Sequence, residues 1–553
     1  MKILDRFCNT QFESYEDFYN NFKINVPENF NFAYDVIDVY AKESPEQRAV
    51  LWVNDKGLQK TLTYKQLSDY SQRAANVLCS LGLKKGDKVI LLLKRRWQFW
   101  GIVIACLRVG VTVIPATHQL TGKDLTYRVS RSGAKMVIMA DDDYIEKTIA
   151  SAEEKGTMLI KASVNGARDG YVDFDAETDK ASEVFEKPSK EDLPDLDDVM
   201  LIYFTSGTTG MPKMVAHDYR LPLGHILTGC FWQNLRDDDL HFTLSDTGWA
   251  KCSWGKLWGQ WIAGSCVFVY DYDSHFAPLD MAKMIEKYKI TTFCAPPTVF
   301  RFLIKEDISG IDLSSLRATY IAGEPLNAEV YKKWYDLTGL LLREGYGQSE
   351  TPVMVACFPW IEPKPGSMGK PSPIMRIRLL NPKGEFCEVG EEGEICVDMR
   401  DGHPVGLFSG YLADEEKTGS VMFGGWYHTG DVAWMDEDGY YWFVGRSDDV
   451  IKSSGYRIGP FEVESALVEH KAVLETAITA VPDPVRGQIV KATVVLAKGY
   501  TPSDELKKEL QEHVKKTTAP YKYPRIVEFV EELPKTISGK IRRMEIRQKD
   551  ENQ

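Results

Sequence analysis

Short apolar runs alternate with amphipathic stretches along most of the chain. Four of the runs have the length and composition of buried strands, and each lies beside a helical pattern: residues 88–93, 135–139, 199–204 and 291–297. This alternation is typical of α/β proteins in which helices cover a largely parallel sheet. We therefore predict an α/β fold with a large N-terminal domain of packed α/β layers.

The pattern changes after about residue 445, where strands become shorter and helices become rich in lysine and glutamate, as in SDELKKELQEHVKK. A chain of 553 residues also exceeds what one hydrophobic core usually supports. We therefore predict a second, small α+β domain at the C-terminus. With the boundary before Asp448, the two domains span residues 1–447 and 448–553.

One long apolar stretch, FWGIVIACLRVGVTVIPAT (99–117), invites interpretation as a membrane span. Arg108 lies in its middle, and Gly110 and Pro115 interrupt it. A spanning helix needs about 20 predominantly apolar residues without such interruptions. The stretch is better interpreted as a buried helix that leads into a strand.

Composition and charge exclude several functional classes. The net charge of −13 argues against a nucleic-acid partner, which normally selects a basic face. The ten cysteines form no C-x-x-C pair, so a zinc motif or disulfide framework is not expected. The N-terminal residues lack the apolar segment of a signal peptide and are too acidic for a transit peptide. These features predict a cytoplasmic protein without a membrane span.

The first candidate for chemistry is the loop TSGTTGMPK (205–213), which directly follows the apolar run 199–204. Glycines, hydroxyls and a lysine suit phosphate groups, because bare backbone N–H groups and a cation attract anions. A Walker A loop needs Gly-Lys followed by Ser or Thr, whereas Pro212 precedes Lys213 here and Met214 follows it. Taken alone, the loop could be a degenerate P-loop, a linker or another kind of phosphate grip.

Four further motifs follow in order: AGEPL (322–326), REGYGQSET (343–351), the long segment 427–464 that begins YHTGD, and PKTISGKIRR (534–543). Together with the glycine-rich loop they resemble the adenylate-forming (AMP-binding) superfamily over nearly the whole chain. Within it, REGYGQSE, PYKYPR and LFSGY look most like the medium-chain acyl-CoA synthetases. The resemblance implies that the glycine-rich loop 205–213 binds pyrophosphate.

The resemblance also implies an activity in fatty acid metabolism. The enzyme would be an ATP-dependent carboxylate–CoA ligase with Mg²⁺ as cofactor, acting on a medium-chain, short branched or aromatic acid. The acid would react with ATP to form acyl-adenylate and pyrophosphate, and CoA would then yield acyl-CoA and AMP. The alternative is a stand-alone adenylation enzyme that loads a carrier protein.

The resemblance assigns ATP binding to a set of residues drawn from all five motifs. They are Thr205, Ser206, Gly207, Thr208, Thr209, Gly210, Lys213, Gly323, Glu324, Pro325, Glu344, Gly345, Tyr346, Gly347, Gln348, Ser349, Asp431, Arg446 and Lys540. The loop hydroxyls and Lys213 suit the β- and γ-phosphates, and glycines let the backbone approach closely. AGEPL and Tyr346 would line the adenine.

Three residues are candidates for catalysis: Lys213, Glu350 and Lys540. Glu350 is a hard oxygen donor suited to Mg²⁺, with a carboxylate at a helix N-terminus as the alternative. Taken alone, Lys540 would be a solvated lysine near a basic tail. The resemblance instead implies that Lys540 reaches the α-phosphate and the acid and stabilises the transition state.

The segment DVAWM-DEDG-YYWFV predicts a β-hairpin, because two strand-like runs flank a turn signal. Pairing Met435 with Tyr440 would place Asp431 opposite Val444, with Arg446 just beyond. Asp431 and Arg446 could then form a surface ion pair, whereas the resemblance implies that they hold the ribose.

The remaining candidates concern CoA and the acid. The resemblance implies a hinge at Asp448 and CoA contacts from Ser454, Gly455, Tyr456, Arg486 and Lys522, although a lysine here could also belong to an ordinary charged face. It implies acid contacts from Trp249, Gly347, Ser349 and Arg457. The glycine at 347 predicts an open pocket floor, unless it serves only the backbone turn and other side chains fill the space.

Overall fold

The computed structural model describes residues 2–205, 211–273, 277–324, 326, 328–454, 456–535 and 541–551. The strands of this part of the chain form four sheets, and both strands and helices are numbered in chain order. Among the described residues, no helix combines the length and the hydropathy needed to cross a membrane.

The largest sheet has nine strands. They are β1 (Arg48–Asn54), β2 (Gln59–Thr63), β10 (Leu240–Thr243), β11 (Cys266–Asp271), β12 (Thr292–Ala295), β13 (Ala318–Ala322), β14 (Leu342–Tyr346), β15 (Val355–Ala356) and β16 (Lys370–Pro371). Their order is β16-β15-β14-β13-β12-β10-β11-β1-β2, and the six central strands from β14 to β1 run parallel.

A second sheet has eight strands. They are β3 (Lys88–Leu92), β4 (Thr112–Pro115), β5 (Met136–Ala140), β6 (Ile160–Val164), β7 (Val172–Asp173), β8 (Val199–Thr205), β9 (Lys213–Asp218) and β19 (Gly410–Tyr411). Their order is β19-β9-β8-β4-β3-β5-β6-β7, with parallel pairing from β8 to β7. The predicted α/β layers with parallel sheet are confirmed, and each of the four predicted apolar runs contains a strand.

Two five-stranded sheets complete the structure. One contains β17 (Ile377–Leu380), β18 (Gly393–Asp398), β20 (Met422–Phe423), β21 (Trp426–Met435) and β22 (Tyr441–Arg446). The other contains β23 (Ile451–Ser453), β24 (Tyr456–Ile458), β25 (Val473–Asp483), β26 (Gly487–Leu496) and β27 (Ile526–Val530), and it forms the smaller C-terminal α+β unit.

The α-helices lie mostly between successive strands. They are α1 (Tyr15–Asn21), α2 (Asp38–Glu43), α3 (Tyr64–Ser80), α4 (Gln98–Val109), α5 (Gly122–Ser132), α6 (Asp143–Glu153), α7 (Phe174–Lys180), α8 (Leu221–Gly224), α9 (Lys251–Lys256), α10 (Trp258–Ile262), α11 (Pro278–Tyr288), α12 (Pro297–Leu303), α13 (Ala328–Thr338), α14 (Glu415–Val421), α15 (Pro460–Glu469), α16 (Asp504–Thr517) and α17 (Arg543–Glu551). Shorter 3₁₀ turns (Ile3–Arg6, Pro520–Lys522) and π-helical turns (Ala33–Ile37, Leu227–Trp232) also occur.

The long apolar stretch forms α4 and β4, as predicted. Every side chain of α4 is buried, and Gly110 ends the helix in the left-handed conformation with φ of 81°. Arg108 is buried inside the protein, where its guanidinium donates to Asp38 and to the Ser71 hydroxyl. A buried charge is tolerated when it is paired and hydrogen-bonded in this way.

Candidate active site

The motif residues gather at the carboxyl ends of parallel strands, which is where α/β sheets bind ligands. Strand β13 ends at Ala322, directly before Gly323 and Glu324, and pairs in parallel with β14. Strand β14 ends at Tyr346, so residues 347–351 leave the same edge of the sheet. Two motifs separated by one helix are therefore neighbours in the fold.

Asp431 lies at the centre of a buried hydrogen-bond network beside this edge. The Tyr346 hydroxyl donates to Asp431 Oδ2 at 2.6 Å, and the Gln348 side-chain amide donates to the same oxygen at 2.7 Å. The Tyr427 hydroxyl in turn donates to Gln348 Oε1 at 2.6 Å, which fixes the amide's orientation. The network therefore orients a carboxylate with strong donors.

The predicted hairpin exists, but its predicted register is wrong. Met435 pairs with Tyr441, and Asp431 pairs directly with Arg446 instead of with Val444. The register shifts at an irregularity between Val432 and Ala433, which a simple count from the turn cannot anticipate. Arg446 Nη1 consequently lies 3.4 Å from Asp431 Oδ1.

Glu350 and Lys213 both lie against Tyr411. The Tyr411 hydroxyl donates to Glu350 Oε1 at 2.9 Å, and Lys213 Nζ lies 5.1 Å from the centre of the Tyr411 ring. Burial raises the pKa of Glu350 and lowers that of Lys213. Glu350 occupies a turn after β14, so the alternative of a helix N-terminal carboxylate does not apply.

The glycine-rich loop leaves a hairpin of β8 and β9, in which Thr205 pairs with Lys213. This pairing places both ends of the loop together at the end of the sheet. The predicted loop residues Ser206, Gly207, Thr208, Thr209 and Gly210 lie outside the described residues, as do Pro325, Gly455 and Lys540.

Two glutamates belong to the candidate ATP-binding motifs. Glu324 Oε2 accepts from the Thr298 hydroxyl at 2.8 Å, and Arg301 lies 3.4 Å from it. Glu344 is buried, and its Oε2 atom has no hydrogen-bond partner among the described residues. Burial raises the pKa of Glu344 well above its ordinary value.

The expectation of an open pocket floor at Gly347 is wrong. A Cβ atom at this position would lie 2.5 Å from the Trp254 ring and 2.6 Å from the Pro352 carbonyl oxygen. Trp254 itself is buried and packs edge-on against Trp232, with ring centroids 6.1 Å apart. The alternative interpretation, in which another side chain fills the space beside the glycine, agrees with the structure.

A small cavity lies next to Trp254 and Ser349. It is lined by Tyr203, His217, Leu221, His225, Ala250, Ser253, Trp254, Ser349 and Thr351. His217 bonds through Nε2 to the Ser349 carbonyl oxygen at 2.8 Å, and burial lowers its pKa to about 4, so the ring is neutral at pH 7. Trp249 is half-buried and precedes α9, which carries Trp254.

Sequence reasoning missed several residues of the site. Tyr411 is the last residue of LFSGY and Tyr427 is the first residue of YHTGD, so their positions within these motifs could have identified them as site residues. His217 and Trp254 carried no such signal, because they reach the site only through the packing of β9 and α9.

The candidate CoA residues that the structure describes lie in the C-terminal unit, mostly in turns beside its sheet. Arg486 donates to the Ser454 hydroxyl at 3.2 Å, and the exposed ring of Tyr456 stacks on Tyr521 at 4.1 Å. Lys522 is paired with Glu462 at 2.5 Å. Arg457, predicted near the acid, instead donates to Glu392 at 3.2 Å.

Comparison with known proteins identifies the class of this fold and site. The family model "AMP-binding enzyme" matches residues 37–412, and "AMP-binding enzyme C-terminal domain" matches residues 462–540. The chain belongs to the AMP-binding enzyme family. It is similar to the mitochondrial acyl-coenzyme A synthetase ACSM3 of Rattus norvegicus, with 43% identity over 550 residues that cover 98% of this chain and 94% of that protein.

Two solved structures share the fold. The anthranilate CoA ligase AuaEII in complex with anthranoyl-AMP gives a TM-score of 0.86 at 28% identity, covering 95% of this chain and 98% of that one. A benzoate CoA ligase from Burkholderia xenovorans LB400 gives 0.81 at 25% identity, covering 94% and 100%. The resemblance to adenylate-forming enzymes is therefore confirmed.

The same comparison corrects one prediction. The sequence predicted a cytoplasmic protein, but the similar acyl-coenzyme A synthetases are named as mitochondrial enzymes. The prediction of a cytoplasmic location is therefore wrong. It rested on the N-terminal residues, whose acidity and lack of an apolar segment do not report the compartment here.

Proposed function

We propose that the protein is an ATP-dependent carboxylate–CoA ligase. It joins a carboxylic acid to ATP, forming acyl-adenylate and releasing pyrophosphate, and then transfers the acyl group to the CoA thiol and releases AMP. The single observation that carries this proposal is 43% identity to an acyl-coenzyme A synthetase along 98% of the chain. The motif residues gathered at one edge of the sheet support it.

The Asp431 network suits the ribose of ATP. Its donors, Tyr346 and Gln348, both use Oδ2, and Arg446 lies at the longer distance of 3.4 Å from Oδ1. Oδ1 therefore keeps acceptor capacity for a ribose hydroxyl. The unpartnered Oε2 atom of the buried Glu344 likewise leaves a hydrogen-bonding position for the nucleotide, since a buried polar atom gains most from a new partner.

The reaction also requires neutralisation of the charge on the phosphates, because adenylation brings two anions together. Lys213 supplies a cation at the base of the glycine-rich loop. Glu350 fits an Mg²⁺ ion, because it is a half-buried carboxylate and Mg²⁺ prefers carboxylate oxygens among protein ligands. When bound, Mg²⁺ would neutralise phosphate charge. Lys540 would add a cation at the α-phosphate.

The acid is proposed to be a medium-chain, short branched or aromatic carboxylate. The cavity beside Trp254 has a mixed lining of apolar, hydroxyl and imidazole groups, and its His217 ring is neutral, which disfavours a second charge on the acid. Two similar structures are named as ligases of anthranilate and benzoate, which supports a compact ring as one option.

The decisive experiment measures pyrophosphate release with and without CoA, across acids from acetate to dodecanoate plus benzoate and amino acids. Sustained turnover is expected only with CoA, with a maximum at intermediate acids or benzoate. An enzyme that retained acyl-adenylate with CoA present, and discharged it to a carrier protein, would instead be a stand-alone adenylation enzyme.

We also propose a pivot at Asp448, at the boundary between residues 1–447 and 448–553. Residues 446–449 form a turn closed by a bond from Asp449 N to the Arg446 carbonyl at 3.0 Å. Asp448→Pro fixes φ near −65° at the third position of this turn and restricts the preceding residue, Ser447, to extended conformations. A backbone strain of about 1–3 kcal/mol should slow acyl-CoA formation roughly tenfold or more, while acyl-adenylate accumulates.

The matched control for the pivot is Asp448→Ala, which removes the same carboxylate but leaves φ free. It should retain near-normal coupling of the two half-reactions, measured as acyl-adenylate formed against acyl-CoA formed. Equal slowing of both half-reactions by proline, or identical behaviour of the two variants, would place the pivot elsewhere.

A further inference from the structure

A cluster of three metal-ligating side chains lies outside the proposed active site. Glu394 and Cys396 are two residues apart on β18, and Cys396 pairs directly with His428 on β21. One ligand atom from each residue lies within 4.8 Å of the others. The three groups are a carboxylate, a thiol and an imidazole, which is a donor set that Zn²⁺ prefers.

We propose that Glu394, Cys396 and His428 form a binding site for a single divalent cation of the zinc class. The separations between the ligand atoms agree with this assignment. His428 Nδ1 lies 3.5 Å from Cys396 Sγ and 2.9 Å from Glu394 Oε2. Tetrahedral Zn²⁺ with ordinary bond lengths spaces a sulfur and a nitrogen ligand by about 3.5 Å and a nitrogen and an oxygen by about 3.3 Å. The nitrogen–oxygen pair is therefore a few tenths of an ångström closer than a bound ion would hold it, whereas the sulfur–nitrogen pair already has the required spacing.

The surroundings allow this small adjustment and leave an entry path. Glu394 and His428 keep 28% and 15% of their side-chain surface exposed, whereas Cys396 is fully buried beneath them. The ring of Phe423 stacks on His428 at 3.9 Å and restrains the imidazole from one side. Three protein ligands and a solvent-facing fourth position define the proposed site.

Proton balance is satisfied without another reactant. Burial, with the nearby Glu394 and Cys387, raises the pKa of the Cys396 thiol, so the thiol is protonated before the metal arrives. Binding forms the sulfur–metal bond and releases that proton to solvent, while the Nδ1 proton of His428 is exchanged through solvent to Nε2, so that the neutral ring binds the ion through Nδ1. The ion therefore replaces the His428–Glu394 hydrogen bond by three metal–ligand bonds.

The site would also connect to the proposed nucleotide site. The second oxygen of Glu394, Oε1, accepts from the Gly430 backbone N–H at 2.8 Å, immediately before Asp431. A bound ion would cross-link β18 to β21 at this point. The thermal midpoint of the full-length protein should therefore rise with zinc, because only the folded state holds the ion tightly.

The test uses the full-length protein after chelator dialysis, with Co²⁺ and Zn²⁺ themselves as probes. One Co²⁺ per chain should bind with thiolate-to-cobalt charge-transfer absorption, and Zn²⁺ should displace it. Cys396→Ser and His428→Gln should remove the band and weaken binding by ~100-fold or more. Cys79→Ser, which removes an exposed thiol on α3, is the matched control and should retain both.

Glu394→Gln separates binding from folding, because the amide oxygen can still accept from Gly430. This variant should melt like the native protein without metal, yet lose most of the stabilisation by Zn²⁺. Absence of the band in the native protein, or its persistence in Cys396→Ser, would overturn the proposal. Equal stabilisation of Glu394→Gln and native protein by Zn²⁺ would also overturn it.

Discussion

Replacing Lys540 by alanine is expected to slow acyl-adenylate formation by ~10²–10³, the cost of removing one preorganised electrostatic group. The proposed role of this lysine is to neutralise charge that develops between the acid and the α-phosphate. Thioester formation from supplied acyl-adenylate should remain nearly intact, because that step no longer builds the same charge. Acid-dependent pyrophosphate exchange and acyl-CoA formation measure the two half-reactions separately.

Lys535→Ala is the matched control for this prediction. Lys535 lies five residues earlier in the same basic segment and is paired with Glu475 at 2.7 Å. Its loss should leave adenylation within a few-fold of the native rate, because an exposed ion pair contributes little. If Lys540→Ala slowed both half-reactions equally, the assignment of this lysine to the first step would be wrong.

Local sequence patterns predicted much of the fold because they depend on neighbouring residues. The apolar run of α4 ends at Gly110, and the charged Arg108 within it argued against a membrane span before the partners of this arginine were known. The strand before the glycine-rich loop was equally clear, since Val199–Thr205 is apolar almost throughout. Each of these features is determined by residues that are close together in the sequence.

Features that depend on packing between distant segments could not be predicted. The pairing of Asp431 with Arg446 depends on a strand irregularity that cannot be predicted by counting residues from the hairpin turn. Trp254 fills the space beside Gly347 although 93 positions separate them in the sequence. The pairing of Cys396 with His428 also arises only when β18 and β21 meet.

The position of Trp254 changes what a tryptophan at residue 347 should do. In Gly347→Trp even the Cβ atom would lie 2.5 Å from the Trp254 ring and 2.6 Å from a backbone oxygen. Residue 347 must therefore shift, together with its neighbours Tyr346 and Gln348, which hold Asp431. A misplacement of about 1 Å near reacting groups costs ~10²-fold. We expect acetate, butyrate, octanoate and benzoate all to lose activity by about that factor.

Trp254→Ala tests the same contact from the other side. Removing the indole enlarges the cavity beside Ser349, and each additional buried CH₂ of an acid contributes ~0.8 kcal/mol, or roughly fourfold. The ratio of kcat/KM for octanoate over butyrate should therefore rise ~10-fold or more. Trp258→Ala is the matched control, because Trp258 is also buried but packs on Phe32. Both variants should lose stability to a similar extent, whereas only Trp254→Ala should change the preference among acids.

If Gly347→Trp instead spared acetate and removed only longer acids, Trp254 would have to move aside easily, and residue 347 would be the floor of the acyl pocket after all.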